Sequence, residues 1–442
     1  MGFDLVNSKA LTKIQSIILI AIIVVAALGT TAAYFFLGGQ NQSSETIKIG
    51  ILTDIDGASG RHIWQGAVLA AEHLNAEGGI LGRQVEVIGE DTDFESGVDL
   101  TIINSALIRL LTFHDVDIVI GLATGEMGPM IQDVIAEHKK IYMGVGGIPI
   151  ELTQRVIDDY DEYKYFFSEF NSTVLTKERI DMLLHAREIT GFNNVGYLVD
   201  DHPYFTDVRE AYDNTLPELG FNLVYKGVFP PFNTIDFSSY FAAAEEAGVE
   251  ILMPQSIFDS GIPLVKEYYD RQAPMVIYGG FISKAGYLES WEKTGGKCAY
   301  STLIIQGSTI GYPVTSKTKP FHDSYVERWG MAPFFLGASS YSKIRFILFD
   351  ALERARTTET EDLIKALEEI EVETTSAGNF AFDSSHSTLV TEYPADNPDG
   401  EIIINLLLQW KEDGSLVPIY PKWLMEEAEA TLTYPPWAGP WD

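Results

Sequence analysis

The chain has 442 residues, a formal net charge of -33 and a hydrophobic share of 46%, which is enough apolar material for globular cores and excludes a disordered chain. The acidic excess repels nucleic acid and anionic membrane surfaces, so neither is an expected partner. The single cysteine, Cys298, excludes an internal disulfide bond and any site in which several cysteines bind a metal.

The first predicted element is a membrane-length apolar segment. Residues 14–38 contain no charged side chain and are long enough for a helix that crosses a bilayer. Two lysines precede it, which predicts that residues 1–13 are cytoplasmic and that the chain beyond a linker at 39–46 lies outside. A secretory signal cleaved near residues 31–33, or a prepilin-like signal whose helix is retained, would also lead to export. The predicted location is therefore extracellular or at the cell surface, with the chain either anchored by this helix or secreted.

Strands and helices alternate from residue 47 onward. Apolar residues that return every three or four positions predict helices, and short runs of β-formers predict strands. Runs without polar alternation, such as Ile118 to Ile120, are typical of parallel strands covered on both faces. The first series has predicted strands at 47–52, 84–88, 117–120 and 141–143 and predicted helices at 63–76, 98–111 and 127–137.

The joint 75–83 in this series is rich in glycine. Gly78 or Gly79 can adopt the left-handed conformation that ends a helix, and Ile80 and Leu81 can fold back onto its last turn. Such a compact connection predicts a scaffold role rather than a ligand contact.

A second series of the same kind begins after residue 170. Its predicted strands are 194–199, 222–228, 250–253 and 275–278, and its predicted helices are 174–190, 205–219, 237–247 and 262–271. Two such units in tandem predict an α/β fold with two Rossmann-like lobes and parallel sheets. After Cys298 the pattern loosens, with strands predicted near 300–305, 379–382 and 401–410 and helices near 320–329, 339–355 and 361–368. We expect the tail 434–442 to be non-helical because of its prolines, and its tryptophans to pack on the body.

The sequence contains no complete catalytic or cofactor-binding signature. Gly144 to Pro149 begins like a dinucleotide-binding loop, but Pro149 replaces the third glycine and no helix is predicted to follow. Gly295 to Cys298 lacks the first glycine and the hydroxyl of a P-loop, and the histidines lack metalloprotease spacing. Carboxylate clusters such as 90–93 and 158–162 are typical of the solvated surface of an acidic protein. We predict no catalytic residue, no metal and no cofactor.

The remaining interpretation is a binding protein. In open α/β sheets, ligands bind beyond the carboxyl ends of the strands, where loops and helix N-termini offer donors. The loops predicted at these ends are rich in glycine and in polar or aromatic residues; they are 53–64, 123–128, 144–149, 200–205, 254–260 and 279–283. If the two units face each other across these edges, the loops line one cleft.

A set of short motifs spans the chain from about residue 47 to the C-terminus. They are Gly50 to Thr53, Gly57, Gly60, Gly66-Ala67, Asn75 to Arg83, Asp91, Val119 to Gly121, Glu151 to Thr153, Tyr204, Phe382-Asp383 and His386. The set resembles the type I solute-binding proteins of ABC importers for branched-chain amino acids and amides. The resemblance implies a receptor whose two hinged lobes close on a small solute and present it to a membrane permease. It also implies three crossings of the chain between the lobes, which would consist of 47–166 with 299–390 and of 167–298 with 391–442.

The resemblance also implies a ligand pocket, and its residues differ from those of the family members that bind amino acids. In those members, hydroxyl groups of the loops that match 124–126 and 144–148 commonly hold the α-carboxylate of the ligand, whereas Thr124 is the only hydroxyl residue in these loops here. The acidic residue that holds the ligand's ammonium group in those members corresponds to Phe281. This counts against an α-amino acid among the three solute classes considered, which are branched-chain amino acids, amides or ureas, and aromatic acids. The predicted ligand-binding residues, whose aromatic rings could instead belong to the lobe cores, are Trp64, Thr124, Gly125, Glu126, Gly146, Gly147, Tyr204, Ser256, Phe258 and Phe281.

Three functions follow from the sequence. The predicted one is the receptor of an ABC importer, without enzymatic activity, whose partners are a small solute, a permease and the membrane through the N-terminal helix. The second is the ligand-binding part of a membrane-linked sensor, which would need a partner because about 13 residues remain in the cytoplasm. The third is a surface hydrolase built on the carboxylate clusters.

Overall fold

The computed structural model describes most of the chain after residue 45. The described residues are 46–123, 127–202, 204–231, 234–256, 260–279, 289–375, 379–388 and 405–437. They belong to one compact unit, Thr46–Asp442. The predicted membrane segment 14–38 lies outside them, and no helix within them is long and apolar enough to cross a bilayer.

A five-stranded parallel sheet organises the first part of the chain. Its strands are β1 (Ile47–Thr53), β2 (Val85–Asp91), β3 (Ile118–Leu122), β4 (Ile141–Ile148) and β5 (Phe166–Asn171). They lie in the order β2-β1-β3-β4-β5, and every pairing is parallel. All five residues of β3 are buried, as expected for a strand covered on both faces.

Helices cover this sheet on both sides. They are α1 (Gly60–Ala76), α2 (Leu100–Ile108), α3 (Met127–His138), α4 (Ile150–Asp158) and α5 (Tyr160–Tyr163), and a π-helical turn (Arg109–Phe113) continues α2. The prediction that residues 144–149 form a loop with no helix after it was wrong. β4 continues through Ile148 and α4 begins at Ile150. The cause is β5, a strand absent from the predicted elements, because it gives the glycine-rich end of β4 a pairing partner.

The glycine joint after α1 adopts the predicted helix-ending conformation. Gly78 and Gly79 have φ angles of +107° and +82°, and the N–H of Gly79 donates to the carbonyl of Leu74 over 2.8 Å. Ile80 and Arg83 then exchange two backbone hydrogen bonds of 2.9 Å. The joint is therefore a turn held mainly by its own backbone, which fits a scaffold role.

A second parallel sheet follows, in the order β7-β6-β8-β9. Its strands are β6 (Asn194–Asp200), β7 (Asn222–Phe229), β8 (Ile251–Gln255) and β9 (Val276–Ile277), and its helices are α6 (Ser172–Thr190), α7 (Tyr204–Glu218), α8 (Ser238–Glu246) and α9 (Gly261–Arg271). The predicted second series is confirmed, with every boundary within about two residues, inside the usual error of such predictions.

A three-stranded antiparallel sheet and further helices complete the described fold. The strands are β10 (Thr302–Ile305), β13 (Leu406–Trp410) and β14 (Leu416–Tyr420), in the order β10-β13-β14. The other elements are α10 (Ser290–Thr294), α11 (Gly307–Ile310), α12 (Thr318–Trp329), α13 (Phe335–Ser342), α14 (Phe349–Ala355), α15 (Thr360–Glu368), β11 (Val372–Glu373), β12 (Asn379–Phe380) and α16 (Lys422–Glu427). A π-helical segment, Lys343–Leu348, joins α13 to α14.

Two apolar clusters form the core. One surrounds the first sheet and extends to the face of the second sheet that packs on α8 and α9. The other lies on the opposite face of the second sheet, against α6 and α7. Cys298 is buried, and Trp437 packs edge-on against Tyr268, Tyr269 and Tyr300, which confirms the predicted packing for this tail residue.

Candidate functional site

The N-terminus of α1 lies at the carboxyl edge of the first sheet, which is the edge where the carboxyl ends of its parallel strands meet. The Thr53 hydroxyl donates to the carbonyl of Gly60 over 3.2 Å, and Asp54 accepts from the N–H of Gly57 over 2.8 Å. A Cβ atom on Gly60 would lie 2.1 Å from the carbonyl oxygen of Asp54, so only glycine fits here. The end of α1 that carries its positive partial charge is thereby fixed at this edge.

At the same edge, β4 forms a β-bulge beside β5. The register shifts between Gly144 and Gly147, so that two residues of β4 stand opposite Glu169 of β5. Gly146, one of the two, has a φ angle of +78°, and a Cβ atom on it would lie 2.9 Å from Cδ2 of Leu336 in α13. The predicted contacts Gly146 and Gly147 therefore lie at a bulge. Since a bulge disrupts the ladder locally, it makes backbone groups available at the end of the strand.

A buried ion pair adjoins the bulge. Nζ of Lys343 lies 3.2 Å from Oε2 of Glu169, and the two side chains expose only 1% and 3% of their surface. The Ser339 hydroxyl donates to the same carboxylate oxygen. Burial lowers the pKa of Lys343, while the negative charge of Glu169 opposes that shift. The sequence analysis missed this pair because its members are 174 positions apart.

A second polar network connects α1 with α12. Nδ1 of His62 lies 2.6 Å from the hydroxyl of Tyr325, which donates to Oε1 of Gln65 over 2.7 Å. The N–H of Phe334 donates to the same histidine nitrogen over 3.3 Å. His62 and Tyr325 are 263 positions apart, so no local sequence pattern indicates this network either.

The carboxyl edge of the second sheet carries a buried hydroxyl and carboxylate pair. Oγ of Ser256, the residue after β8, donates to Oδ2 of Asp200 at the end of β6 over 3.0 Å. The N–H of His202 donates to the other carboxylate oxygen over 3.2 Å. Ser256 was a predicted ligand residue, whereas Asp200 was only the first residue of the predicted loop 200–205.

Trp64 lies within α1, and its assignment to a loop was wrong because this helix begins at Gly60, one turn before the predicted start. A Cβ atom on Gly89 of β2 would lie 2.9 Å from Cζ3 of Trp64. The indole ring is half-buried against the first apolar cluster. Trp64 thus has a packing role, and its contact with a solute stays a prediction.

The other predicted contacts fall outside the described residues. These are Thr124, Gly125, Glu126, Phe258 and Phe281. Tyr204 begins α7 and is therefore in a helix rather than a loop, but its side chain also lies outside the described part. All six stay predictions.

The alternatives to these edges are a metal site and a groove elsewhere on the surface. Within the described ranges, no group of three or more His, Cys, Asp or Glu side chains could hold a metal ion. A groove of about 290 Å³ lies at the amino end of the first sheet, where Lys139 precedes β4 and Tyr165 precedes β5, and four of its lining side chains are carboxylates. Since ligands of open α/β sheets bind at the carboxyl ends, the two carboxyl edges remain the candidate site. Their fixed hydrogen-bonding groups are suited to holding a small polar molecule.

Known proteins with similar sequences and folds are solute-binding proteins. The family model described as periplasmic binding protein matches residues 46–394. The Leu/Ile/Val-binding protein homolog 7 of Brucella suis biovar 1 (strain 1330) is 21% identical over 398 residues, which cover 87% of this chain and 94% of the relative.

Two solved structures show the same fold. One is a protein from Silicibacter pomeroyi described as a candidate branched-chain amino acid ABC transporter, with a TM-score of 0.75 and 17% identity over 89% of this chain and 100% of that chain. The other is the substrate-binding protein LivJ of the branched-chain amino acid transporter from Streptococcus pneumoniae in complex with isoleucine. Its TM-score is 0.66, with 18% identity over 85% of this chain and 100% of that chain.

Proposed function

Since this chain belongs to the periplasmic binding protein family, we propose that it is the solute-binding receptor of an ABC importer. It captures a small organic solute between two hinged lobes and delivers it to a membrane permease. The observation that carries the proposal is the pair of parallel sheets, each with fixed polar groups at its carboxyl edge: the bulge at Gly146 and the buried pair of Asp200 and Ser256. The family resemblance stated from the sequence is confirmed by the matching family model.

The two lobes in this proposal are residues 47–166 with 299–390 and residues 167–298 with 391–442. β1 to β4 fall in the first lobe and β6 to β9 in the second. β5 pairs with β4 and leads directly into α6, which supports a first crossing at this strand. A hydrogen bond of 2.9 Å from the N–H of Gly279 to Oγ1 of Thr302 ties the end of β9 to β10, which supports a second crossing beside it.

The proposed location is outside the cytoplasmic membrane. The family match supports it, as does the apolar segment 14–38, which serves in this proposal as a retained anchor or a cleaved signal. Fractionation of cells that produce the full chain tests the point, because an anchored protein stays with the membranes after a high-salt wash and a secreted one does not.

The first experiment is thermal unfolding of the full-length chain against a panel of branched-chain amino acids, amides and urea, aromatic acids, sugars and nucleosides. A ligand at about 100 times its dissociation constant adds roughly 2.7 kcal/mol to the free energy of unfolding, which raises the midpoint measurably. A response to at least one compound is expected, and silence across the panel would overturn the proposal. Recovery of the compound chemically unchanged distinguishes a receptor from a hydrolase, and co-purification of a kinase instead of a permease would favour a sensor.

A further inference from the structure

Two buried polar atoms at the carboxyl ends of β8 and β9 have no hydrogen-bond partner among the described residues. They are Oε1 of Gln255, the last residue of β8, and the hydroxyl of Tyr278, the residue after β9. Each residue exposes only 1% of its surface. An unpaired buried polar group destabilises the folded state, and most such groups in folded proteins are paired. A partner from outside the chain would satisfy both atoms.

Both side chains lie on the same face of the sheet. Ile251 and Leu252 pair with Val276 and Ile277, and side chains alternate between the two faces along a strand. Tyr278 is therefore on the face of Val276, and Gln255 is on the face of Ile251. Ile251, Met253, Val276 and Tyr278 all belong to the apolar cluster against α6 and α7. The two side chains thus lie on one face of the sheet, at the ends of two neighbouring strands.

The structure also fixes what each atom can do. Nε2 of Gln255 donates to the hydroxyl of Tyr212 in α7 over 2.7 Å, so the amide oxygen is the atom left to accept a hydrogen bond. The N–H of Tyr278 donates to the carbonyl of Leu252 over 2.9 Å, which holds its backbone in the ladder. Burial raises the pKa of Tyr278, so its hydroxyl stays neutral and can donate. The side chains of Gln255 and Tyr278 therefore offer one acceptor and one donor, neither of them charged.

We propose that Gln255 and Tyr278 form a neutral hydrogen-bonding subsite for a carboxamide or urea group of the solute. A carboxamide has an N–H donor for Gln255 and a carbonyl acceptor for Tyr278. An ammonium or carboxylate group fits less well, because a buried charge needs an opposite charge beside it and neither side chain supplies one. This inference rests on the proposed function and selects amides and ureas among its three solute classes.

The test compares two tyrosine variants of the full-length chain. Tyr278→Phe removes only the unpaired hydroxyl. Tyr268→Phe is the matched control, because Tyr268 is as deeply buried and its hydroxyl donates to the carbonyl of Met275 over 3.0 Å. Thermal unfolding is measured with propionamide, isobutyramide, benzamide and urea, and with the corresponding carboxylates and amino acids. Gln255→Met removes the acceptor at similar length, together with the hydrogen bond from Nε2 to Tyr212. It gives a second measurement of ligand affinity if Tyr278→Phe fails to fold.

We expect an amide or urea to stabilise the wild-type chain and its affinity to fall about tenfold in Tyr278→Phe and in Gln255→Met, the loss for one neutral hydrogen bond. Tyr268→Phe should keep the ligand response. Without ligand, Tyr278→Phe should unfold at the wild-type temperature or slightly above, since it loses only an unpaired group, whereas Tyr268→Phe should unfold at a lower temperature.

The opposite results separate the two proposals. A response to carboxylates or amino acids alone, or an amide response that neither variant weakens, would overturn this inference and leave the receptor function standing. If Tyr278→Phe is less stable than the wild-type chain and its ligand response is unchanged, the hydroxyl stabilises the folded state by a hydrogen bond to a buried water molecule. That result would also overturn this inference. Silence of the wild-type chain across the whole panel would overturn the receptor function and this inference with it.

Discussion

Gly66 of α1 and Gly337 of α13 bring the backbones of their helices into direct contact. A Cβ atom on Gly66 would lie 2.1 Å from the carbonyl oxygen of Gly337, and one on Gly337 would lie 2.8 Å from the carbonyl oxygen of His62. Both glycines are buried and helical, so the close approach of the two helices requires them. The contact ties the first helix of the described fold to a segment far along the chain.

Gly66→Ala should therefore destabilise the protein. The added methyl group overlaps a backbone atom that cannot rotate away, so the helices must separate, at a cost of about 3 kcal/mol. The midpoint of urea unfolding measures the loss. Gly144→Ala is the control, because a Cβ atom there meets nothing closer than 3.6 Å. Equal midpoints for the two variants would contradict the helix contact.

Gly146→Ala tests the bulge at the candidate site. Its φ angle of +78° costs an L-residue about 1–2 kcal/mol, and its new methyl group would lie 2.9 Å from Leu336. We expect a modest loss of stability and weaker binding of whichever solute stabilises the wild-type chain. Titration calorimetry of this variant beside Gly144→Ala measures the effect. An unchanged affinity would exclude the bulge from the binding site.

Local periodicity predicted much of the fold. The strands and helices of the second series repeat apolar residues at clear intervals, and their bounds agree closely with the structure. β5 and the extension of β4 were missed together, because glycines carry no strand preference of their own and the pairing of Gly147 with Phe170 is a tertiary contact. α4 was missed as well, although its buried residues Leu152 and Val156 stand at helical spacing in the sequence.

The candidate site was harder to predict than the fold. Glycines at turns and bulges leave a signal in the sequence, and Gly146 lies in such a glycine-rich stretch, although its contact with a solute stays a prediction. The pairs Glu169 with Lys343 and His62 with Tyr325 leave none, since each member looks like an ordinary surface residue until folding brings its distant partner to it. Gln255 fell in the predicted loop 254–260 and Tyr278 at the end of a predicted strand, and only their unpaired atoms distinguish them.

Lys343→Met should cause one of the larger losses of stability in this protein. It leaves the carboxylate of Glu169 buried without the ammonium group that lies 3.2 Å away, and breaking such a pair costs about 3–5 kcal/mol. Chemical denaturation gives the size of the loss. The double variant Glu169→Gln with Lys343→Met should recover most of it, because it removes both charges. A double variant less stable than Lys343→Met alone would contradict the account.

Trp437→Ala should loosen the C-terminal tail. The indole packs on three tyrosines, and its Nε1 donates to the carbonyl of Ala273 over 3.2 Å. Because the ring is only half-buried, we expect a loss of about 2 kcal/mol, less than for a fully enclosed tryptophan. Trp437→Phe, which keeps most of the packing without the hydrogen bond, should lose less. Unfolding midpoints that match the wild-type value for both variants would mean that the tail adds nothing to stability.

Asp181 of α6 should make stability fall as pH rises through the acid range. Burial raises the pKa of Asp181 from its ordinary 3.8 to about 6, with the nearby charge of Lys177 opposing the shift. Between about pH 4 and pH 6 the folded chain therefore binds a proton that the unfolded chain has lost, so this residue contributes less stability at each higher pH, until both states are ionised.

Asp181→Asn tests this account. At pH 7 its free energy of unfolding should exceed that of the wild-type chain by about 1 kcal/mol, once solvent screening of this partly exposed group is allowed for. Its advantage over the wild-type chain should shrink below pH 6 and disappear near pH 4. Unfolding curves at several pH values, with the exposed Glu210→Gln on α7 as the control, measure that difference directly. A variant that is less stable than the wild-type chain at pH 7 would show instead that the ionised carboxylate of Asp181 stabilises the folded state.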